Sequence, residues 1–179
     1  MQFTDRDLEY IKDYSHLALT FNDFKQMAEN DELSLTEKIG FPNAYRDGVE
    51  SIIINDILKK LFKNEDTNKV ILDIGSGCSN LTKLLIETVL KRNNKIILCD
   101  SEEMLSLIPN QDDVLKVSGK FPYNIDDFSS YKNQLDGIVI YSVLQHVIIE
   151  DSVYSFIDSA LELLKPGGKL LLGDIPTLS

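Results

Sequence analysis

Over its C-terminal part the chain alternates between short apolar runs and longer stretches in which apolar residues recur every three or four positions. The apolar runs are Val70–Ile74, Lys95–Cys99, Val114–Ser118, Gly137–Tyr141 and Lys169–Gly173. Strands buried on both faces read as such runs, which is typical of a parallel sheet covered by helices. Because crossovers between parallel strands are right-handed, we predict a doubly wound, mainly parallel α/β sheet with strand order 3-2-1-4-5 and helices on both faces.

The stretches between and before these runs have the helical period. Within the sheet region we predict helices over Leu81–Leu90, Glu102–Ile108 and Ser152–Leu164. A further amphipathic helix is predicted over 46–63, with Tyr45 and Arg46 at its start. Residues 1–45 are predicted to form a helical extension, which begins at an N-cap Thr4 with Asp7 three positions later. The apolar face of its first helix is expected to be Leu8, Ile11, Tyr14 and Ala18.

Composition limits the classes of partner. The 179 residues carry a net charge of −11, and such a surface repels phosphate backbones, so we expect no nucleic-acid partner. No apolar run approaches the roughly 18 residues of a membrane span. Cys78 and Cys99 have neither disulfide nor metal-ligand spacing, which predicts a cytoplasmic protein without a bound metal. Richness in Asn, Lys, Ile and Asp indicates an AT-rich bacterial genome.

The segment 70–80 carries the clearest chemical signal. A strand ends in Asp73, a Gly75-Ser76-Gly77 turn follows, and a helix begins, so that backbone N–H groups and a carboxylate face a nucleoside-bearing cofactor. A carboxylate at this strand tip would repel a pyrophosphate but suits a positive amino group. We therefore favour S-adenosylmethionine over a nicotinamide cofactor. Asp100, 25 residues after Gly75, is placed to accept the ribose hydroxyls of either cofactor.

Five segments in this order resemble the class I S-adenosylmethionine-dependent methyltransferases, which have a Rossmann-like core. They are Leu72–Gly77, Leu98–Leu105, Lys116–Pro122, Asp136–Val147 and Leu164–Leu172. The resemblance implies a cofactor-binding core over 46–179, with residues 1–45 as a lid. Members of the family usually continue through two more strands. The resemblance therefore also implies a core that lacks them, either because it is C-terminally truncated or because it is a naturally short form. A second subunit or a helix could cover the open sheet edge, which makes a homodimer conceivable.

The resemblance also implies roles for single residues. The expected cofactor-binding residues are Asp73, Gly75, Ser76, Gly77, Asp100, Ser101, Met104, Gly119, Tyr141 and Ser142. Among these, Asp73 would hold the amino end of the cofactor, Asp100 the ribose, and Ser101 with Met104 the adenine. The acid that often binds the adenine amino group is absent after the third strand. Lys120 holds its place, or the alignment slips to Asp126 or Asp127.

Two further pairs are candidates for catalysis and substrate binding. His146 would act as a general base for a hydroxyl acceptor, with Asp174 holding its tautomer; the alternative is a structural loop histidine. Tyr45 and Arg46 would belong to the lid, where Arg46 could bind an anionic acceptor or the cofactor carboxylate. A surface arginine at a helix start is the alternative. His16, placed in the first helix, is given no role.

The resulting hypothesis is methyl transfer from S-adenosylmethionine to an oxygen or nitrogen of a small-molecule acceptor, for which we consider a sugar or another cell-surface precursor. One alternative is an NAD-dependent oxidoreductase, which shares the sheet and the ribose acid. Its fuller Gly-x-Gly-x-x-Gly motif fails here at Asn80. The other alternative is a non-catalytic regulatory or scaffold subunit that binds the cofactor but needs no base.

Overall fold

The computed structural model, which describes residues 3–14, 18–63 and 66–175, is built on a parallel sheet of five strands. The strands are β1 (Val70–Ile74), β2 (Lys95–Asp100), β3 (Val114–Ser118), β4 (Leu135–Tyr141) and β5 (Leu164–Gly173). Their order is β3-β2-β1-β4-β5, and all four pairings are parallel. The predicted fold class and strand order are confirmed. The order reverses between β1 and β4, which places the crevice for a ligand at their carboxyl ends.

Helices cover both faces of this sheet. The helices are α3 (Glu50–Leu61), α4 (Asn80–Leu90), α5 (Glu102–Ser106), α6 (Leu144–Glu150) and α7 (Val153–Leu161). Successive residues of a strand point to opposite faces. Accordingly, Ile71 packs in the cluster that contains α3, α4 and α5, while Leu72 and Ile74 pack in the cluster that contains α6 and α7.

The N-terminal part consists of α1 (Asp5–Tyr14), α2 (Phe21–Glu29) and short 3₁₀ turns at Glu37–Ile39 and Asn43–Tyr45. Two buried carboxylates hold it together. Asp7 accepts hydrogen bonds from the Thr4 main chain and hydroxyl and from Ala44 N–H. Glu37 accepts them from Arg6 Nε at 2.8 Å and from Ser34 N–H. The Thr4 hydroxyl in turn accepts a hydrogen bond from Asp7 N–H at 3.2 Å, so the Thr4 cap is as predicted.

The apolar face predicted for α1 is wrong. Leu8 is 55% exposed, whereas Tyr10 is buried and donates a hydrogen bond to the main-chain oxygen of Glu37. The reason is that α1 packs on the turn that contains Glu37, so the face carrying Asp7 and Tyr10 turns inward. His16 lies outside the described residues.

Several element boundaries also differ from the prediction. The helix predicted over 46–63 begins at Glu50, and Arg46 precedes it in a turn. The predicted helix Ser152–Leu164 ends at Leu161, because Leu164 already pairs with Leu135 of β4. The last strand begins at Leu164 and not at the predicted Lys169, because residues 165–168 are included in β5 at an irregularity of this pairing. Among the described residues, none of the helices combines the length and apolarity needed to span a membrane.

Candidate functional site

The loop between β1 and α4 forms the floor of the site, and two glycines set its shape. Gly75 and Gly77 have φ angles of +71° and +61°, a region that residues with a Cβ rarely adopt. A Cβ on Gly75 would lie 2.5 Å from Val143, and one on Gly77 would lie 2.7 Å from Ile39. The loop is held to β2 by the hydrogen bond from Gly75 N–H to Cys99 O, 2.8 Å long. The glycines are therefore required by both conformation and space.

Asp73 is the next-to-last residue of β1 and lies two positions before Gly75. Its exposure is 5%, and within residues 3–14, 18–63 and 66–175 its carboxylate has no hydrogen-bond or ion-pair partner. Burial, with a contribution from the nearby Asp100 carboxylate, raises the pKa of Asp73 to about 7. Burying a charged carboxylate without a partner costs free energy. A partner for Asp73 must therefore come from outside the described residues.

Asp100 is the last residue of the neighbouring strand β2, two positions after Leu98, the residue that pairs with Asp73. Its Oδ2 accepts a hydrogen bond from Gly77 N–H at 2.8 Å, and its Oδ1 accepts one from Ser101 N–H at 2.7 Å. Burial raises the pKa of Asp100 to about 6, against the lowering effect of these two hydrogen bonds. Each oxygen keeps a further lone pair, so the carboxylate can still accept two hydroxyl groups.

Two cavities meet at the glycine loop. The larger cleft, of about 780 Å³, is lined by Asp100, Met104 and Gly119 on one side and by His146 on the other. The smaller cavity, of about 500 Å³, is lined by Asp73, Ser76, Arg46 and Tyr141. Both share four lining residues, which are Ile39, Gly75, Gly77 and Ser142. An elongated molecule could therefore place one end beside Asp100 and the other beside Asp73.

Arg46 brings a buried positive charge to the smaller cavity. Its guanidinium lies 4.8 Å from the centre of the Phe41 ring and 5.3 Å from that of Tyr141, at cation–π distance. Nη2 donates to Asp174 at 2.8 Å and also to the Ser142 hydroxyl. Among the described residues, Nε and Nη1 have no hydrogen-bond partner. Arg46 therefore retains donors for an anionic group.

Ser142 and Asp174 directly follow the neighbouring strands β4 and β5 and form one polar junction. Both have positive φ angles, +60° and +52°, which are uncommon for residues with a Cβ. The Ser142 hydroxyl donates to the Asp174 carboxylate, and Tyr45 lies 3.5 Å from the other oxygen of Asp174. Two strained residues at adjacent strand ends that bind each other and Arg46 are typical of a functional site.

The structure does not bring His146 and Asp174 together. In the part of the chain that the structure describes, the Asp174 carboxylate contacts Arg46, Ser142 and Tyr45, because the guanidinium is the nearer and stronger partner. His146 Nδ1 lies instead 3.2 Å from the main-chain oxygen of Leu19, in the N-terminal part. The expected pairing of Asp174 with His146 is therefore not seen, and Asp174 is instead the ion-pair partner of Arg46.

The adenine side of the larger cleft also departs from expectation. Ser101 does not line either cavity; its hydroxyl caps α5 by accepting a hydrogen bond from Met104 N–H. Asp126 and Asp127 are exposed and lie in a 3₁₀ helix away from the cleft. Lys120 does line the cleft, where it pairs with two carboxylates that end α6. These are Glu150 at 3.3 Å and Asp151 at 2.7 Å.

Several residues of the cleft had no signal in the sequence. They are Phe21, Phe24, Ile39, Val143, Glu150 and Asp151. Half of them belong to the N-terminal part, which has no recognisable motif, and reach the cleft through contacts between distant positions. An apolar residue that lines a cleft has the same sequence pattern as one in the core.

The comparisons with known proteins agree with this geometry. A family model described as "Methyltransferase domain" matches residues 45–178. A segment of chondramide synthase from Chondromyces crocatus is 46% identical over 55 residues, which are 30% of this chain and 1% of that protein.

Solved structures share the fold at low identity. Phosphoethanolamine N-methyltransferase 1 of Haemonchus contortus, solved with phosphoethanolamine and S-adenosylhomocysteine, has a TM-score of 0.53 and 17% identity. That match covers 95% of this chain and 32% of the enzyme. The plantazolicin methyltransferase BpumL, in complex with S-adenosylhomocysteine, has a TM-score of 0.53 and 16% identity, with 88% and 58% covered.

The family match and the site agree on the chemistry of the ligand. The family model spans most of the chain, including the glycine loop and the ends of β2 and β4. S-adenosylmethionine carries an ammonium, a carboxylate and ribose hydroxyls, and the site offers an unpaired carboxylate, a buried guanidinium and a second carboxylate. The chain therefore belongs to the class I S-adenosylmethionine-dependent methyltransferase family, whose methyl donor is S-adenosylmethionine.

Proposed function

We propose that this domain binds S-adenosylmethionine across the glycine loop and methylates a hydroxyl group of a small, largely apolar molecule. The observation that carries the proposal is the buried Asp73 carboxylate, which faces the smaller cavity without a partner among the described residues. A cationic ligand group is the partner that best offsets the cost of burying this charge. The ammonium of the cofactor supplies such a group.

The other residues of the site have complementary roles in this proposal. Arg46 donates its free N–H groups to the cofactor carboxylate, and Asp174 keeps the guanidinium in place. Asp100 accepts the ribose hydroxyls, while Met104 and the Gly119 backbone contact the adenine. Tyr141 and Ser142 close the cavity at the end of β4. Held by these residues, the cofactor would supply a methyl group carried on a sulfonium, with S-adenosylhomocysteine as the leaving group and the acceptor oxygen as the methylated atom.

His146 is the proposed general base. A hydroxyl must lose its proton as its oxygen is methylated, and a neutral imidazole can accept that proton. Burial lowers the pKa of His146 below its ordinary value of 6.5, so the ring is neutral at physiological pH. Its Nδ1 is engaged by the Leu19 carbonyl, so Nε2 is the nitrogen that receives the proton.

The lining of the larger cleft favours an apolar acceptor over an unsubstituted sugar. The apolar side chains that line this cleft together with His146 include Phe21, Phe24, Val143 and Val147. The charged residues of the cleft, Lys120, Glu150 and Asp151, are already paired with one another. Such a wall would leave most hydroxyls of a sugar without hydrogen bonds, which is costly. A planar hydroxylated molecule buries its apolar faces there. The similarity of one segment to a chondramide synthase supports a small biosynthetic intermediate as the acceptor.

Methyl transfer from isotopically labelled cofactor to three probe acceptors tests this proposal. We expect product with naphthol and umbelliferone and much less with methyl glucoside. His146→Gln should reduce turnover by about 10²- to 10⁴-fold, the usual contribution of a general base, and should leave cofactor binding unchanged. Turnover that is unchanged in His146→Gln would show that His146 takes no part in the reaction. Cofactor binding without turnover on any hydroxylated probe would favour the regulatory alternative.

A further inference from the structure

The hydrogen bond of His146 defines which ring nitrogen carries the proton. Nδ1 lies 3.2 Å from the main-chain oxygen of Leu19, and a carbonyl oxygen can only accept. Nδ1 must therefore hold the proton, and Nε2 must hold the lone pair. Among the described residues Nε2 has no hydrogen-bond partner, and the ring lines the larger cleft.

Residues 18–24, named here the docking segment, hold the Leu19 carbonyl in a defined direction. Leu19 is 7% exposed and packs in an apolar cluster with Tyr10, Met27 and Leu33. Thr20 then caps α2 through a reciprocal pair of hydrogen bonds with Asp23. Packing before the carbonyl and capping after it leave little freedom at this peptide unit.

The docking segment contacts α6 at two further points. The Phe24 ring meets the His146 ring edge-on, with the centres 4.8 Å apart and the planes at 85°. Phe21 N–H donates to Glu150 Oε2 at 2.8 Å. His146 and Glu150 are four positions apart and lie on one face of α6. The docking segment therefore contacts two successive turns of α6, the helix that carries His146.

We propose that the Leu19 carbonyl is the positioning group of His146, and that docking of residues 18–24 on α6 fixes the imidazole as the tautomer with an unprotonated Nε2. The inference rests on the proposed function, in which His146 accepts the proton of the acceptor. It assigns to a main-chain oxygen of the lid the role expected of Asp174. Without the docked segment, the ring is free to adopt the Nε2–H form, which cannot accept a proton at that atom.

The choice of a carbonyl over a carboxylate has a physical consequence. A carboxylate beside Nδ1 would favour the charged imidazolium, whereas a neutral carbonyl orients the ring without adding negative charge. The histidine thus stays neutral before the reaction, in an apolar wall. When the lid opens for ligand exchange, the Leu19 carbonyl would leave Nδ1 and the ring could change tautomer. Closure of the lid would restore the Nδ1–H form.

Nitrogen NMR of the histidine rings tests the proposal directly. The chain has only two histidines, and His16→Gln assigns the remaining signals to His146. Spectra are recorded at about pH 8, above the ordinary histidine pKa of about 6.5. The variants are Phe24→Ala, Glu150→Ala and their combination. Glu150→Gln is the matched control, because its amide oxygen can still accept from Phe21 N–H although the charge is lost.

We expect the Nδ1–H form to predominate in the unmodified chain and in Glu150→Gln. Glu150→Ala and Phe24→Ala should each lower the ratio of Nδ1–H to Nε2–H, and the combined variant should lower it by about tenfold, with far-UV circular dichroism unchanged. An Nε2–H ring in the unmodified chain would overturn the proposal. An unchanged ratio of Nδ1–H to Nε2–H in the combined variant would also overturn it. The same would follow if Glu150→Gln lowered this ratio as much as Glu150→Ala does.

This readout is independent of methyl transfer. If calorimetry detects no binding of S-adenosylhomocysteine, the proposed function fails although the tautomer is as inferred. If the cofactor binds but the ratio is insensitive to the docking segment, the positioning role fails alone.

Discussion

At the scale of single residues, Asp73 makes the ligand-free protein less stable than its fold allows. A carboxyl whose pKa is about 7 in the folded state and about 3.9 when unfolded binds its proton more tightly in the folded protein. Its contribution to stability is fully present below the unfolded pKa and is lost as the pH rises through about 7. Asp136 is the opposite case, because two lysines and the Val70 N–H surround its carboxylate.

Asp73→Asn should therefore stabilise the ligand-free protein. The amide removes the buried charge, and we expect a gain on the order of 1 to 3 kcal/mol, or a rise in Tm of about 2–4 °C for each kcal/mol, at about pH 8. The gain should shrink as the pH is lowered to about 5, because Asp73 is then protonated in the folded protein and no longer buries a charge. Thermal unfolding at both values measures it.

Asp136→Asn is the control for this prediction. It removes a buried charge that has partners, so it should lower Tm at about pH 8. Equal losses in the two variants would show that Asp73 has a structural partner and that its burial is not a property of the ligand site.

At the scale of elements, the loop after β1 differs from the turn at Gly167, although both contain a glycine with positive φ. Gly77 and Gly167 have φ angles of +61° and +81°, but only Gly77 has a close neighbour, the Ile39 side chain of the N-terminal part. Both alanine variants incur the cost of the left-handed conformation, about 1–2 kcal/mol. Gly77→Ala must in addition displace Ile39, which lines both cavities.

We expect Gly77→Ala to lower Tm more than Gly167→Ala and to weaken S-adenosylhomocysteine binding, while Gly167→Ala leaves binding intact. Thermal unfolding and titration calorimetry on both variants measure the two effects. Identical behaviour would mean that Gly77 is needed for the turn alone.

The N-terminal helices should respond to acid in the opposite sense to the core. Burial alone would raise the pKa of Glu37, but hydrogen bonds from Arg6 and Ser34 hold it below its ordinary value. Hydrogen bonds from Thr4 lower the pKa of Asp7 in the same way. A lowered pKa gives stability that is present above the unfolded pKa of about 4 and is lost as the pH falls through the folded value.

Amide exchange should therefore show α1 and α2 losing protection between about pH 5 and pH 3, before β1 and β4 do. Glu37→Gln should reduce their protection already at neutral pH. Loss of protection at the same pH in both regions would contradict this account, in which the N-terminal helices form a separately held layer.

The sequence predicted strands better than it predicted contacts at this scale. β1 and β3 have the predicted bounds because each is an apolar run between polar turns. The start of α3 was misplaced because Tyr45 and Arg46 belong to a turn whose shape depends on Asp174, 128 positions away from Arg46. The orientation of α1 likewise depends on Glu37, which no local pattern identifies.

At the scale of the whole molecule, the two acidic motifs at the carboxyl ends of the strands could be predicted from the sequence. The contacts made by the N-terminal part above them could not. Asp73 and Asp100 follow apolar strands, so their place at adjacent strand ends was predictable from topology. The partner of His146 was not, because Leu19 contributes a main-chain atom and is 127 positions away. Any residue type presents such an oxygen, so it leaves no signature in the chain.

The most direct measurement of the central claim is calorimetric titration with S-adenosylhomocysteine at about pH 8. We predict binding to the unmodified chain and to the surface control Asp56→Asn, whose side chain is 57% exposed. Asp73→Asn should weaken binding at least about 100-fold, or about 2.7 kcal/mol. Absence of binding to the unmodified chain, or equal affinity in Asp73→Asn, would contradict the assignment of this site.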